Sequence, residues 1–554
     1  MIPLTPVANP VEVGVLDSFT RAKPRVTLVR GPLVSTVHAA NNEATPCIGL
    51  AYVAGYLRLH GYDVTIVDAI GEGLNRYWAL DEYPGYICQG LPFSEVVDRL
   101  PADTDVIGFS AMFSGEWPIQ RSLLAAMRKR FPHALFVAGG EHCTALPEHT
   151  LRDCPALDVC VRGEGEHIFY ELVDSWAEKR DYTAVNGIGY LNAAGQFVLN
   201  GGLPRVKDVN TIPWPYWPEG YLDKFWAAGK SYGVCTERDM PLLVSRGCPF
   251  QCTFCSSPQM WTTLYKLRDV EDVIAEIKFY QKVYDITAFQ LYDLTAIVKK
   301  SWTVQFCQRL IEEGINLKWS LPSGTRSEAL DKETLEYLRR TGCNYLVYAP
   351  ESGSDETLKR VKKKVHLGRM TESILEAKRQ GLVLRANLII GFPDESRRDV
   401  LKTLLYGLKL AMHGVDDVSA NVFECYPGSE IFNTVSAAGR ITLDDKYFLG
   451  LTSMYSDLTK TDLITFNAEM SPRELALWRL AFVLASYLIG YVLYPSRILR
   501  TIRNVFFASH EAATVFEHRL KDIVRRSKAL ATRAGTSTPV QPATAAPVVE
   551  QSNN

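Results

Sequence analysis

The stretch LLVSRGCPFQCTFCSSP, Leu242 to Pro258, joins a β-rich run to three closely spaced cysteines. Cys248, Cys252 and Cys255 form a Cys-x-x-x-Cys-x-x-Cys array directly after the predicted strand. Thiolates are soft ligands that suit iron–sulfur clusters and zinc. A structural zinc site needs a fourth ligand, but the next cysteine, Cys307, lies in a helical pattern. The array therefore predicts a cluster with one iron left open to a further ligand.

A series of short β-rich runs begins just before the cysteines and continues after them, and a helical pattern separates each run from the next. The series comprises Leu242–Gly247, Ile286–Asp293, Asn316–Ser323, Tyr345–Glu351, Leu382–Pro393 and Val418–Pro427. Six units are too few for a closed eight-unit barrel, so the pattern predicts a partial (β/α)6 barrel. Chemistry in such folds belongs on the loops at the carboxyl ends of the strands.

A second alternation of strands and helices precedes the cysteines and predicts a doubly wound parallel sheet. The predicted strands are Arg25–Arg30, Asp63–Ala69, Thr104–Phe113, Ala134–Gly140 and Leu157–Glu166. The predicted helices are Ile48–Gly61, Ile119–Arg130 and Ile168–Trp176, and a loop is expected around Tyr83, Pro84 and Pro92. A small hairpin at Gly187–Asn200 and a Pro/Trp-rich segment at Thr211–Tyr221 follow as a linker.

The fold class is therefore α/β, with a Rossmann-like domain, a partial barrel and a helical C-terminal region. The predicted boundaries are an arm at 1–24, the Rossmann-like domain at 25–185, the hairpin and linker at 186–235, the barrel at 236–450, the helical region at 451–531 and a disordered tail at 532–554. The 554 residues carry a net charge of −2, so no bulk field attracts nucleic acid. Twelve cysteines, most of them scattered, and a start without a secretory pattern indicate reduced thiols in the cytoplasm.

Two further segments have more than one interpretation. Leu480–Tyr494 is an uncharged apolar run of 15 residues, short of the ~20 that span a bilayer. The next turn sets Arg497, Arg500 and Arg503 against apolar residues. We expect a buried helix with a solvated basic face; the alternative is a helix resting on a membrane, which would make the protein membrane-associated. The basic run Lys359–Lys364 is expected to be a solvated helix face without a nucleic-acid role.

The cysteine array resembles the signature of the radical SAM superfamily, in which three cysteines hold a 4Fe-4S cluster. The open iron binds S-adenosylmethionine (SAM), and one-electron reduction releases a 5′-deoxyadenosyl radical. APESGSDETLKRVKKKV (349–365), NLIIGFPDES (387–396) and ECYPGSEIF (424–432) resemble later elements of that family, in the same order. The resemblance implies SAM contacts at Phe254, Glu351, Ser352, Asn387, Ile389 and Gly391. Asp293 stands where relatives commonly show paired acids, which leaves its role open.

The first domain has neither GxGxxG nor a P-loop, but it places small residues at strand ends. These elements resemble the cobalamin-binding domain upstream of many radical SAM barrels. The resemblance implies cobalamin contacts at Ser110, Gly139, Gly140, Gly163, Glu164 and Gly165. The Asp-x-His-x-x-Gly motif for a lower axial histidine is absent, because Thr36 and Asn41 flank His38. His142 and His149 lie near the proposed slot. A histidine in such a position is more often a core or surface residue than a cobalamin ligand.

From Arg25 to Arg500 the chain resembles the anaerobic magnesium-protoporphyrin IX monomethyl ester cyclase group, which includes cobalamin-dependent radical methyltransferases. The resemblance implies three cofactors: a 4Fe-4S cluster, SAM and cobalamin. The leading hypothesis is an enzyme that methylates an unactivated carbon or phosphorus of a small-molecule metabolite through methylcobalamin. One alternative is oxygen-independent oxidation, cyclisation or rearrangement, and another is a cobalamin-binding sensor. The implied partners are a small-molecule substrate and a reductant such as flavodoxin or ferredoxin; no catalytic acid or base is assigned.

Overall fold

The computed structural model describes residues 23–39, 44–230, 237–452, 457–507, 514–521 and 523–524. The predicted arm at 1–24 falls outside these residues except for its last two. The predicted disordered tail at 532–554 lies wholly outside them.

The first part of the chain forms a seven-stranded sheet with apolar clusters on both faces. Its elements, in chain order, are β1 (Val26–Arg30), β2 (Leu33–Thr36), α1 (Ile48–Leu59), β3 (Val64–Asp68), α2 (Ala69–Glu72), β4 (Tyr77–Ala79), β5 (Tyr86–Gln89), α3 (Phe93–Arg99), β6 (Val106–Ser110), α4 (Trp117–Arg130), β7 (Leu135–Gly139), α5 (Glu141–Ala145), α6 (Pro147–Asp153), β8 (Val159–Val161), α7 (Gly165–Lys179), β9 (Ile188–Leu191) and β10 (Phe197–Asn200).

The order of this sheet is β10-β9-β8-β7-β6-β1-β3. Strands β3, β1, β6, β7 and β8 run parallel, as the doubly wound prediction requires, and β9 and β10 add to the edge antiparallel to their neighbours. The strand order reverses between β1 and β6, which is where doubly wound sheets open a crevice for a ligand. The prediction of a Rossmann-like first domain is confirmed.

Two parts of the first domain differ from the prediction. The hairpin β9–β10 is not part of a separate linker, because β9 pairs with β8 and extends the main sheet. The predicted loop around Tyr83, Pro84 and Pro92 contains β4 and β5, which join β2 in a three-stranded antiparallel sheet. These strands are only three or four residues long, too short to show a clear alternation in the sequence.

The second part of the chain forms a six-stranded parallel sheet whose spatial order follows the sequence order, which confirms the partial barrel. Its elements, in chain order, are α8 (Tyr221–Ala228), β11 (Asp239–Leu242), β12 (Ser245–Arg246), α9 (Ser257–Trp261), β13 (Lys266–Leu267), α10 (Val270–Tyr284), β14 (Ala288–Leu291), α11 (Lys300–Glu312), β15 (Lys318–Thr325), α12 (Lys332–Arg340), β16 (Cys343–Glu351), α13 (Asp355–Arg360), α14 (Leu367–Arg379), β17 (Val383–Ile390), α15 (Arg397–Met412), β18 (Asp417–Val422), α16 (Glu430–Ala437) and α17 (Asp445–Gly450).

The first barrel strand lies earlier than predicted. It ends at Leu242, where the predicted strand begins, and the backbone then leaves the sheet. Val244 and Ser245 donate their N–H groups to the buried carboxylate of Asp293 instead of to a neighbouring strand. The short strand β12 pairs with β13 in a separate two-stranded ribbon.

The C-terminal region contains a helix longer than the apolar run that predicts it. Helix α18 (Pro472–Leu493) has 22 residues, because its first two turns include charged residues before Leu480. Helix α19 (Ser496–Ile502) and a π-helical turn at Arg503–Phe507 follow. Within the described residues, α18 is the one helix that is long and apolar enough to cross a membrane, and about a third of its apolar window is buried.

The expectation of a solvated basic face after this helix is wrong for two of its three arginines. Arg497 is buried and donates to the main-chain oxygens of Gly414 and Val415. These two residues follow the C-terminal end of α15. Arg500 pairs with Asp416 and Glu517, at 3.2 Å and 3.0 Å. Main-chain oxygens and carboxylates of the barrel therefore bind two arginines that the sequence pattern placed in solvent.

Candidate active site

The cysteine loop leaves the first barrel strand through a turn that only glycine accommodates. Gly247 has φ +83°, and a Cβ atom there would lie 2.1 Å from the main-chain oxygen of Leu264. Cys248, Cys252 and Cys255 follow on the loop as free, half-buried thiols. The predicted array therefore lies at the carboxyl end of the sheet, where β/α folds place their chemistry.

The three thiols fit a cluster better than a single metal ion. Burial raises the pKa of each thiol, to about 12 for Cys255, while Lys363 and Arg326 act in the opposite direction on Cys248 and Cys252. Thiolates in this loop therefore depend on bound metal, and three of them without a fourth suit a 4Fe-4S cluster with one open iron.

Asp293, whose role the sequence left open, holds the start of this loop. Its Oδ1 accepts hydrogen bonds from the Ser245 hydroxyl at 2.6 Å and the Ser245 N–H at 2.5 Å, and the Val244 N–H donates at 3.1 Å. Burial raises the pKa of Asp293 to about 6, and these donors act in the opposite direction. Asp293 therefore positions the backbone three residues before Cys248.

The segments that follow β16 and β18 support the other side of the loop. The N–H of Thr253 donates to Val361, and the N–H of Ile431 donates to the main-chain oxygen of Thr253. Glu351, at the end of β16 with φ +63°, accepts from Lys363 at 2.9 Å, and both side chains are buried. The expectation of a fully solvated basic helix is therefore wrong for Lys363, because the helix ends at Arg360 and the chain turns back towards the cluster loop.

The residues predicted to contact SAM divide into two groups. Along β17, burial alternates: Leu388 and Ile390 are buried, and Leu388 lies against the helix α15, whereas Asn387 and Ile389 are half-buried on the opposite, concave face. The Glu351 carboxylate lies at the adjacent strand end. These side chains border the open interior of the barrel.

The other three predicted SAM contacts also have structural partners, as Glu351 has in Lys363. Ser352 is a correction: it is fully buried and its hydroxyl is paired with that of Thr403 on α15, so it does not face the barrel interior. The N–H of Gly391 donates to the buried carboxylate of Glu395 at 2.6 Å. Phe254 packs against Phe392 with ring centroids 5.7 Å apart.

The predicted cobalamin residues lie on neighbouring strand ends of the first sheet. Ser110 pairs with Gly139 in register, Gly139 pairs with Val161, and Gly163 follows two residues later. Gly140 has φ +119°, and a Cβ atom there would lie 2.6 Å from the main-chain oxygen of Ala111.

A Cβ atom on Gly139 or on Gly165 would meet nothing closer than 3.6 Å, so the edge is open at both positions. Such an open, glycine-lined edge beside the point where strand order reverses fits the nucleotide end of cobalamin.

Glu164 is a correction within this set. Its carboxylate is buried and accepts from Arg205 Nε at 2.9 Å and from the Val206 N–H at 2.7 Å. The nearby Glu166 pairs with Arg246 at 2.6 Å. Glu164 and Glu166 therefore hold the linker and the barrel against the first domain.

The histidines near the slot are also part of the packing. His142 is fully buried, stacks on Trp117 and is hydrogen-bonded through Nδ1 to Ser114 at 3.0 Å. Burial lowers the pKa of His142 to about 3. His149 packs on the ring of Phe448. Both therefore follow the core interpretation.

The glycine-lined edge and the cysteine loop face each other across the domain interface. Glu141, directly after Gly140, accepts a hydrogen bond from the hydroxyl of Ser256, directly after Cys255. Sequence reasoning missed both residues, although each is the chain neighbour of a residue that it did assign. This contact brings the glycine-lined edge next to the cluster loop.

Comparison with known families agrees with this arrangement. The B12-binding domain matches residues 36–173, and the radical SAM superfamily matches residues 242–406. The chain therefore contains a radical SAM domain. With its B12-binding domain, it is a cobalamin-dependent radical SAM enzyme, and its cofactors are a 4Fe-4S cluster, SAM and cobalamin.

Two curated proteins and one solved structure show what this radical SAM enzyme resembles. It is 29% identical to an uncharacterised methyltransferase of Pyrococcus horikoshii, over 74% of this chain and 82% of the relative. It is 27% identical to the anaerobic magnesium-protoporphyrin IX monomethyl ester cyclase of Rubrivivax gelatinosus, over 73% and 68%. The fold matches the radical SAM methyltransferase TsrM of Kitasatospora setae, solved with cobalamin and a [4Fe-4S] cluster, with a TM-score of 0.62, 13% identity and coverage of 92% and 100%.

Proposed function

We propose that this enzyme transfers a methyl group from SAM to an unactivated carbon or phosphorus of a small-molecule metabolite. The observation that carries the proposal is the contact between Glu141 and Ser256, which brings the glycine-lined edge of the first domain against the cluster loop. A methyl group carried on one cofactor and a substrate radical generated beside the other can meet only if the two sites adjoin. The methyltransferase named among the relatives supports the same reaction.

The geometry supports the following site residues. Cys248, Cys252 and Cys255 hold the cluster; Glu351, Asn387 and Ile389 border the SAM site, with Phe254 and Gly391 at its rim; and Ser110, Gly139, Gly140, Gly163 and Gly165 line the cobalamin slot. When bound, the three cofactors supply a one-electron cleavage of SAM and a transferable methyl group.

The chain's own residues position and shield this chemistry. Asp293 holds the cluster loop, and Glu164 and Glu166 hold the two domains together through Arg205 and Arg246. Phe254, Phe392 and Phe423 pack in series beside the loop with tilted rings, whose successive centroids are 5.7 Å and 5.0 Å apart. An apolar wall of this kind excludes water from the site.

Product analysis with methyl-deuterated SAM tests the proposal. The anaerobically reconstituted enzyme receives cobalamin, a strong reductant and a candidate acceptor. We expect S-adenosylhomocysteine and 5′-deoxyadenosine together, with the deuterated methyl group on the acceptor. Deoxyadenosine without S-adenosylhomocysteine, in the presence of an acceptor that is consumed, would contradict methyl transfer.

That second outcome would favour the alternative, an oxygen-independent oxidation, cyclisation or rearrangement. The similarity to the cyclase of Rubrivivax gelatinosus supports this alternative, because that relative is named for ring closure. The acceptor's product distinguishes the two: a gain of one deuterated methyl group, against a product that carries no added methyl group and has either lost hydrogen or been isomerised.

The enzyme takes a small-molecule substrate and electrons from an external reductant, which we propose is a flavodoxin or a ferredoxin. We propose a cytoplasmic location with peripheral membrane contact through the C-terminal helix. The support for that contact is the surface of α18, where apolar side chains face outward.

A further inference from the structure

The outer face of α18 is apolar along the whole helix. Leu477, Leu484, Leu488 and Val492 are 63%, 63%, 65% and 68% exposed, and their spacing places them on one stripe. Leu480 and Leu493 widen the stripe at 36% and 52% exposure. A contiguous apolar stripe on the outer face of a helix marks an interaction site, because the solvent-facing side of an ordinary helix is polar.

Helix α15 continues this surface. Arg397 at its start pairs with Glu474 at the start of α18, at 2.6 Å, so the two helices lie side by side. Leu401 and Leu405 follow Arg397 at helical spacing and are 43% and 55% exposed, and Met412 at the other end is 49% exposed. We call the exposed apolar side chains of α15 and α18 together the α15/α18 face.

The face extends over the full height of the barrel. A Cβ atom on Gly391, at the carboxyl end of β17, would meet Leu475 of α18 at 2.8 Å. At the opposite end, the hydroxyl of Tyr494 donates to the main-chain oxygen of Met412 at 3.0 Å. Both helices therefore begin at the edge of the barrel that carries the SAM elements and end at the opposite edge.

The charges around the face are cationic. Arg398 and Lys409 are exposed on α15 beside its apolar stripe, and the exposed Lys402 between them is paired with Asp399 at 3.1 Å. Neither helix exposes an unpaired carboxylate, because Asp399 is buried and Glu474 is neutralised by Arg397. From Leu475 to His510 the sequence contains no aspartate or glutamate. A basic border around an apolar face is complementary to anionic lipid headgroups.

The inner side of α18 is fixed to the barrel, which excludes its insertion across a bilayer in this fold. Arg479 is buried and donates to the main-chain oxygen of Asp457 at 2.6 Å, and Tyr487 donates to Asp417 at 2.9 Å. Phe482 packs against Gly407 of α15, where a Cβ atom would lie 2.6 Å from its ring. A helix bound in this way can lie on a membrane but cannot span it.

We propose that the α15/α18 face docks the enzyme peripherally on an anionic lipid bilayer, with the barrel lying on its side. The proposal specifies the surface behind the membrane contact and is independent of the methyl-transfer reaction. A second copy of the chain fits this face less well, because a self-complementary contact offers no acid to its basic border.

Flotation of the full chain with vesicles tests the docking. We expect the protein to float with vesicles of phosphatidylcholine and phosphatidylglycerol, and less with phosphatidylcholine alone. The double variant Leu484→Glu/Leu488→Glu should lower the bound fraction by about tenfold or more, since two apolar contacts become anionic. Arg398→Gln/Lys409→Gln should weaken binding to the anionic vesicles alone, in a salt-dependent manner.

The matched control is Leu59→Glu/Val283→Glu, which changes two equally exposed apolar residues of α1 and α10, at 55% and 53%. It should float like the unaltered protein, and thermal unfolding should show both double variants folded. Absence of flotation, or an equal loss in the control, would overturn the proposal. So would a lipid-free dimer that dissociates on Leu484→Glu/Leu488→Glu, measured by light scattering, because it would assign the face to a second copy.

Discussion

Glu141 and Ser256 share a hydrogen bond across the interface between the two sheets. Each is the chain neighbour of a residue assigned to a different cofactor, Gly140 to cobalamin and Cys255 to the cluster. One side-chain contact therefore links the open edge of the Rossmann-like domain to the loop of the barrel. Burial raises the pKa of Glu141, and the Ser256 hydroxyl acts in the opposite direction.

Replacement of Cys252 by alanine should abolish cluster assembly and SAM cleavage. Two thiolates cannot hold a cluster that the array supports with three. Iron and sulfide content and the visible absorption of the reconstituted protein measure the loss, and cobalamin binding should remain. Cys307→Ala, a buried cysteine of α11, is the control and should keep its iron. Radical formation by the Cys252 variant would refute the site.

Asp293→Asn should reduce cluster loading without affecting cobalamin binding. The amide keeps the shape of the carboxylate but turns an N–H towards backbone donors, at a cost of about 1–3 kcal/mol in unfolding free energy. Iron content per chain and chemical denaturation of the apoprotein give the two values. An unchanged iron content would show that the loop holds its position without Asp293.

Gly139→Val should weaken cobalamin binding while leaving the fold intact. A Cβ atom at Gly139 meets only Val161, at 3.7 Å, so the added methyl groups enter the proposed slot rather than the core. Gly140→Ala should instead destabilise the domain, because its Cβ atom collides with the Ala111 oxygen at φ +119°.

Cobalamin titration and thermal unfolding separate the two effects of these glycine variants. Gly202→Ala is the control, since nothing lies within 4 Å of its Cβ position. Normal cobalamin affinity in Gly139→Val would place the slot elsewhere.

Glu395→Gln should remove a pH dependence of stability. Burial raises the pKa of Glu395 to about 7, against the hydrogen bonds from Gly391 and Phe392. A raised pKa in the folded state stabilises the protein at low pH, and this stabilisation is lost as the pH rises through 7. From pH 6 to pH 8 the unaltered protein should lose about 1 kcal/mol relative to the variant, which cannot titrate.

Thermal unfolding of both apoproteins at pH 6 and pH 8 measures this difference. Parallel behaviour of the two proteins between the two pH values would contradict the titration of Glu395.

Much of the fold followed from local patterns. Alternating apolar strands and amphipathic helices predicted both β/α domains because each element's periodicity reflects which side is buried. The three cysteines indicated a cluster because all three ligands lie close together in the sequence, on one loop. The first barrel strand was displaced, because Asp293 is distant in sequence and competes for the N–H groups of Val244 and Ser245.

The sequence by itself determined the two domains, the cysteine array and the positions of small residues at strand ends, since all of these depend on neighbours along the chain. The tertiary structure decided which polar side chains are free: Ser352 and Glu164 look like ligands in their motifs, but each is paired with a residue from another element, Thr403 and Arg205. It also reversed the C-terminal amphipathic pattern. Arg497 turns inward to main-chain oxygens that are unsatisfied only in the folded barrel, and the leucines of α18 are left facing outward.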